Sequence, residues 1–398
     1  MILDQLFQLM ADKSASDIYI SAGTPINIKI NGTSVPINKV RMDPPTIKRM
    51  AMECLSDEKK KIFEETHEMN LSISRPNVGN FRINIFQQRN STAMVIRYIA
   101  SNVPELGTLH LPPILADLIM EKRGLILMVG ATGSGKSTSL AAMIDHRNSL
   151  RSGHILTLED PVEFLFRHKR SIVNQREVGL DTSSFQDALK NALRQAPDVI
   201  LIGEIRDKET MTMGLQYAQS GHLCLATLHA NNSYHAMNRI ISFYPLENRP
   251  TLLLDLSASL KSIIAQRLVK NKTGGRSPAA EVLLNTRHIA ELIEKGEINE
   301  IKEAMEKSLS PGSQTFEQDL FRMYRAGEIT LEEALANSDS PTNLSWLINN
   351  SEAGGEAPKP AEATPEMKAE QAAAAPVQDA SFADFNLNMD ELEKQDAA

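Results

Sequence analysis

Residues 130–138 read Gly130-Ala131-Thr132-Gly133-Ser134-Gly135-Lys136-Ser137-Thr138, and they follow the apolar run Leu125-Ile126-Leu127-Met128-Val129 without a break. A short apolar run that ends on a glycine-rich turn and opens a helix reads as a buried strand feeding a phosphate-binding loop. The glycines let the backbone wrap around an anion, so that several N–H groups and the N-terminus of the following helix face it. Lys136 is placed for the β- and γ-phosphates, Ser137 for a magnesium ion through its hydroxyl, and Thr138 for the start of the helix. All nine residues are therefore assigned to binding ATP, with Mg2+ as the accompanying cation.

Outward from this loop, over 114–275, apolar runs at 155–158, 199–202 and 223–227 alternate with helical stretches. Such alternation predicts an α/β domain with a parallel sheet and helices on its faces. One helix is marked by Ser183 and Gln186, spaced as a capping box, with Phe185, Leu189, Ala192 and Leu193 on one face and Pro197 beyond its end.

Hydrolysis needs acids beside the phosphates, and these stand at the ends of the predicted strands. Glu204 follows the 199–202 run and Gly203, which occupies the usual aspartate position of a Walker B strand. It is expected to hold a metal-bound water, so Ser137 and Glu204 form the candidate metal set. After the 155–158 run come Glu159, Asp160 and Glu163 around Pro161. Carboxylates this crowded are costly unless they share a cation, although an exposed acidic turn has the same composition. Within the group Glu163 is the candidate base for water, and Glu159 and Asp160 are candidate nucleotide contacts. His222 and His229 stand at opposite ends of the 223–228 segment. Both are candidates because ligands bind at strand C-termini in such sheets, while a structural histidine is the alternative for each.

The 398 residues exceed what one hydrophobic core organises, and 42% hydrophobic with 23% charged residues is the balance of a globular chain. Beyond residue 350, eleven acids face three lysines, which leaves 39 acids and 39 basic side chains before it, so the net charge of −8 belongs to the tail. A neutral body gives no electrostatic support for a nucleic-acid partner. The run at 125–129 is far shorter than the roughly 20 residues that cross a bilayer, and the N-terminus carries Asp4 in place of a basic start. A cytoplasmic location is expected. Cys54 and Cys224 are too few for a four-cysteine zinc module, so no structural zinc is expected.

Residues 1–101 mix an amphipathic helix at 3–10 with strands at 26–30, 80–86 and 93–99, which predicts a small α+β domain. Pro104, Pro112 and Pro113 make 102–113 a linker. Residues 276–350 read as short helices closed by Gly296 and Gly327, hence a small helical domain. The acidic tail 351–398 is too poor in apolar residues to fold alone, and Phe382, Phe385, Met389 and Leu392 make 382–394 a candidate docking helix.

Taken together, GATGSGKST (130–138), EDPVE (159–163), LIGEIRD (201–207) and GHLCLATLHAN (221–231) resemble the Walker A, Asp box, Walker B and His box of the secretion and pilus ATPases, in family order. Within them the chain resembles the type IV pilus retraction branch, over residues 1 to about 350. The resemblance implies an N-terminal PAS-like domain, a RecA-like P-loop ATPase domain and a small C-terminal helical domain, assembled as a homo-hexamer. It strengthens Glu163 as catalytic glutamate, Glu204 on the magnesium water and His229 near the γ-phosphate. It also implies roles at nucleotide for Arg82 and Arg97 on N-terminal strands, and for Arg194 and Arg206 flanking the Walker B strand; buried ion-pair roles are the alternative for each.

Two positions depart from the main retraction ATPases. Ala196 stands where the family commonly has an acid, and HIAELIEK (288–295) stands where it has an arginine-bearing motif. With the acidic tail, these features resemble the accessory members of the retraction branch. That implies two partners, a paralogous retraction ATPase and an inner-membrane pilus platform protein. The competing readings are an ATP-binding scaffold ring and, disfavoured by the neutral body, a DNA-translocating motor.

Overall fold

The computed structural model describes residues 2–30, 32–76, 78–99, 103–308 and 310–352, and the chain parts into two compact units at residues 101/102. The acidic tail beyond residue 352, with the docking helix expected at 382–394, lies outside the described residues.

The first unit runs α1 (Ile2–Asp12), β1 (Asp17–Ile20), β2 (Asn27–Ile30), β3 (Thr33–Pro36), α2 (Pro44–Glu53), α3 (Asp57–Thr66), β4 (Glu68–Arg75), β5 (Gly79–Gln88) and β6 (Ser91–Ile99). Its strands form an antiparallel sheet in the order β3-β2-β1-β6-β5-β4. Period-two alternation divides the faces. Ile18, Ile20, Ile28, Phe81, Ile83, Ile85, Met94 and Ile96 are buried together with Leu6, Phe7 and Met10 of α1, where Phe7 stacks on Phe81 at 4.2 Å. The opposite face carries a ladder row in which Asp17 pairs with both Lys29 and Arg97, and Arg97 pairs with Arg82.

The second unit holds α4 (Ile114–Ile119), β7 (Gly124–Val129), α5 (Lys136–Leu150), β8 (Gly153–Glu159), β9 (Ser171–Glu177), α6 (Phe185–Ala192), β10 (Val199–Ile202), α7 (Lys208–Gln219), β11 (Leu223–Leu228), α8 (Ser233–Ser242), α9 (Arg249–Ser259), β12 (Leu260–Lys270), β13 (Arg276–Leu284), α10 (Arg287–Lys295), α11 (Ile301–Glu306), α12 (Phe316–Arg325), α13 (Leu331–Ala336) and α14 (Pro341–Glu352). The sheet order is β13-β12-β7-β11-β10-β8-β9, parallel throughout except for the antiparallel β12–β13 pair. Every residue of β7 is buried, as a central strand covered on both faces requires. Side chains such as Leu125, Ile126 and Leu127 each contribute about 1.5–3 kcal/mol by leaving water.

One apolar layer joins Leu125, Leu127 and Val129 to α6–α10 and to Phe316, Leu320 and Leu344 of the later helices, while the other joins Ile126 and Met128 to α4 and α5. Three expectations change here. The boundary at 275 falls inside the β12–β13 hairpin, and the helices beyond it share the core of the sheet instead of building their own. In the 102–113 linker Leu106 is buried against the Ile126–Met128 layer. The N-cap of α6 is Ser184, one residue later than expected, because its hydroxyl receives the Asp187 N–H.

Candidate active site

The phosphate loop leaves the C-terminal end of β7 and returns as α5. A Cβ at Gly130 would lie 2.5 Å from Ser134 Oγ and 2.6 Å from the Gln266 carbonyl oxygen, so this position accepts no side chain. Gly135 is left-handed, with φ +89°. Lys136 Nζ donates to the carbonyls of Gly130 and Ala131, each at 2.9 Å, which folds the ammonium back over the loop. Burial pushes the pKa of Lys136 down, and the charges of Glu204 and Glu163 oppose that shift. Both acids thus reach the loop electrostatically. Thr132, Gly133, Ser134, Gln266, Leu268 and Arg276 line a cleft of about 290 Å³ beside it.

Glu204 follows β10, and Gly203 before it is a glycine for a steric reason. A Cβ there would meet Leu158 O at 3.0 Å and Glu159 Cα at 3.1 Å. The end of β10 is fastened by Gly203 N–H to Leu158 O at 2.7 Å, by Ile205 N–H to Thr227 O at 2.9 Å, and by the Thr227 hydroxyl donating to Gly203 O. Glu204 is held on both oxygens, by Arg206 Nε at 2.7 Å and His229 Nε2 at 3.4 Å. Arg206 Nη1 also approaches Asp160 Oδ2 at 3.9 Å.

The β8–β9 connection carries Glu163, whose side chain is exposed. Three braces hold it. Gln175 accepts from Phe166 N–H at 2.9 Å and donates to Phe164 O at 2.8 Å, Glu177 accepts from Val162 N–H at 3.0 Å, and buried Asn148 of α5 donates to Arg167 O at 2.8 Å. Glu159, expected at the nucleotide, turns inward instead. It accepts from Thr157 Oγ1 at 2.6 Å and Gln175 Nε2 at 3.3 Å. Burial pushes its pKa up, against these bonds and that of the Glu163 backbone.

Two expected residues of this unit are not brought to the cluster. His222 precedes β11, about 20 Å of strand from His229, and faces the Tyr217 ring edge-on while bonding Ser220 Oγ at 3.0 Å. Arg194 lies in the 3-10 turn Leu193–Gln195 ahead of β10, again at the N-terminal end of the strands, opposite the end that carries Glu204. Arg82 and Arg97 belong to the other compact unit, where Arg97 Nε donates to buried Asp17 at 2.8 Å. Sequence reading passed over Gln266, Gln175 and Asn148. Only Gln266 left a trace, as a polar residue in the apolar stretch Ile263-Ile264-Ala265-Gln266.

Among the described residues no cluster of three or more His, Cys, Asp or Glu side chains could hold a metal by itself. A magnesium ion that keeps its waters and takes phosphate oxygens needs little more than a hydroxyl and one carboxylate, which Ser137 and Glu204 would supply. No helix among the described residues is long and apolar enough to cross a membrane.

Residues 1–274 match the family described as Type II/IV secretion system protein. The type IV pilus ATPase PilU of Pseudomonas aeruginosa is 49% identical over 349 residues, covering 87% of this chain and 91% of that protein. The type IV pilus retraction ATPase PilT of the same organism is 37% identical over 344 residues, covering 86% and 100%. The crystal structure of the pilus retraction motor PilT with bound ADP superposes with a TM-score of 0.81 at 39% identity, covering 87% of this chain and 99% of that one.

Proposed function

The chain belongs to the family of Type II/IV secretion system proteins, and on that premise we propose how its site drives a pilus. It is a type IV pilus retraction ATPase motor. The observation that carries the chemistry is a phosphate loop closed over Lys136, whose Nζ donates to the Gly130 and Ala131 carbonyls, on a sheet where Glu204 at the end of β10 is set between Arg206 and His229.

In the proposed mechanism the loop N–H groups and Lys136 hold the ATP phosphates, Glu163 on its braced loop orients and deprotonates the attacking water, and Glu204 would hold a water of the magnesium ion. Mg2+ bound at Ser137 would neutralise phosphate charge. His229, in contact with Glu204, reports the γ-phosphate state to β11. The subunits form a homo-hexamer in which Arg82 and Arg97, and Arg194 from the N-terminal end of β10, serve a neighbour's nucleotide. The first unit is PAS-like, the ring sits in the cytoplasm at the inner-membrane face against the platform protein, and it works as accessory to a paralogous retraction ATPase. The 49% identity with a PilU and the Ala196 and 288–295 departures support that accessory role.

The test is complementation of pilus retraction in cells that keep the paralogous ATPase, with Glu204→Ala against wild type, alongside ATP hydrolysis by the purified chain. Loss of retraction and of hydrolysis is expected. Full rescue by Glu204→Ala would overturn the motor reading in favour of a scaffold.

A further inference from the structure

Gln266 on β12 is 2% exposed, and both polar atoms of its side chain are used on the phosphate loop and the helix behind it. Nε2 donates to Ser134 O at 2.9 Å, and Oε1 accepts from Ser139 Oγ at 2.7 Å. Its carbonyl oxygen lies 2.6 Å from where a Cβ on Gly130 would stand, and its Nε2 lies 2.7 Å from where one on Gly135 would stand. A single residue therefore packs against the first glycine of the loop, its middle, its last glycine and the first turn of α5. Burying a primary amide is costly unless it is fully bonded, and an apolar side chain would satisfy the surrounding strand equally well.

We propose that Gln266 is a positioning residue for ATP, fixing the curvature of the phosphate loop so that its N–H groups converge before the nucleotide arrives. The proposal rests on the ATPase reading above. A loop ordered in advance does not spend binding energy on its own ordering, so the effect belongs in nucleotide affinity and KM and not in the chemical step. Changing Gln266 to glutamate keeps an acceptor for Ser139 but turns an unprotonated oxygen toward the Ser134 carbonyl. Two acceptors then face each other, and protonation of the new carboxyl restores the donor. Changing it to methionine fills the space with no polar atom and nothing to titrate.

The experiment measures binding of a fluorescent ADP to the full-length wild type, Gln266→Glu and Gln266→Met at pH 8 and pH 6, with KM, kcat and thermal midpoints. At pH 8 both variants should bind about tenfold more weakly, with KM raised in parallel and kcat within about threefold. At pH 6 Gln266→Glu should regain at least about threefold relative to wild type while Gln266→Met does not. If Gln266→Met fails to fold, the pH series of Gln266→Glu decides alone. Binding within about twofold of wild type in both variants, or a loss in Gln266→Glu that pH does not relieve, overturns the proposal. A wild type that binds no ADP overturns this proposal and the ATPase reading together, whereas normal wild-type binding with unaffected variants overturns only the role of Gln266.

Discussion

His229 Nε2 stands 3.4 Å from Glu204 Oε1, so the C-terminal ends of β11 and β10 meet at one carboxylate whose other oxygen is held by Arg206 at 2.7 Å. The Glu204 side chain is 18% exposed, open enough to meet a ligand and restrained enough to keep its direction. A change in either neighbour removes one of the two contacts that direct this carboxylate.

Glu204→Gln keeps the shape and removes the charge. Phosphate-release kinetics should show kcat lower by about 10²-fold or more, since the charge that the proposed mechanism sets beside the magnesium water is lost from the transition state. His229→Asn leaves Glu204 tied to Arg206, and its loss of kcat should be clearly smaller. A Glu204→Gln enzyme at wild-type rate would remove this carboxylate from the chemistry.

Gln175 separates positioning from chemistry. Gln175→Leu deletes the bonds to Phe164 O and Phe166 N–H that shape the Glu163 loop, without touching the phosphate loop. The expected result is about a tenfold loss in kcat with KM nearly unchanged, and a stability loss of about 1–3 kcal/mol by denaturant unfolding for the unpaired groups left behind. A rise in KM with kcat intact would contradict the placement of Glu163 as the base.

The residues that sequence alone could find are those whose neighbours are close in the chain. The loop 130–138 and Glu204 are legible because a strand end and a turn sit side by side. Gln266 meets Ser139 across 127 positions and Gln175 meets Phe164 across a parallel crossover, so their partners are visible only in the fold. The α9–β12 junction was hidden for a local reason. Residues 249–270 pass from helix to strand without glycine or proline at the change, so no breaker in the sequence marks where β12 begins.

Buried acids set a pH dependence of stability. Glu281 accepts from Ser233 N–H at 2.7 Å, and burial pushes its pKa above the usual carboxylate value, with the charges of Asp339 and Glu317 adding to the shift. Above the folded pKa both states are ionised and only the folded state bears the cost of burial. As pH falls through that pKa the folded state takes up its proton first and the cost is relieved. Glu281→Gln keeps an acceptor for Ser233 and should raise stability at pH 8, with the gain shrinking as pH falls toward the ordinary glutamate range near ~4.3. Thermal melts of both proteins from pH 8 to pH 5 test this, and a gain that grows on acidification would refute it.

Ala196 closes the 3-10 turn ahead of β10 in the left-handed conformation, with φ 47° and ψ 53°, and its side chain is exposed. A Cβ in that region costs about 1–2 kcal/mol, and nothing packs on this one in return. Ala196→Gly removes the strain but loosens the unfolded chain by about 0.4–1 kcal/mol, leaving a net gain of roughly 0.5–1 kcal/mol. For a unit of this size that corresponds to a rise of about 1–4 °C in the thermal midpoint. Ala196→Val adds a β-branch to the same backbone and should lower it. Because the turn lies at the N-terminal end of β10, opposite the strand ends that carry the phosphate loop and Glu204, hydrolysis by isolated Ala196→Gly subunits should stay at the wild-type rate. A midpoint that falls in Ala196→Gly would mean that the methyl group supports the native turn.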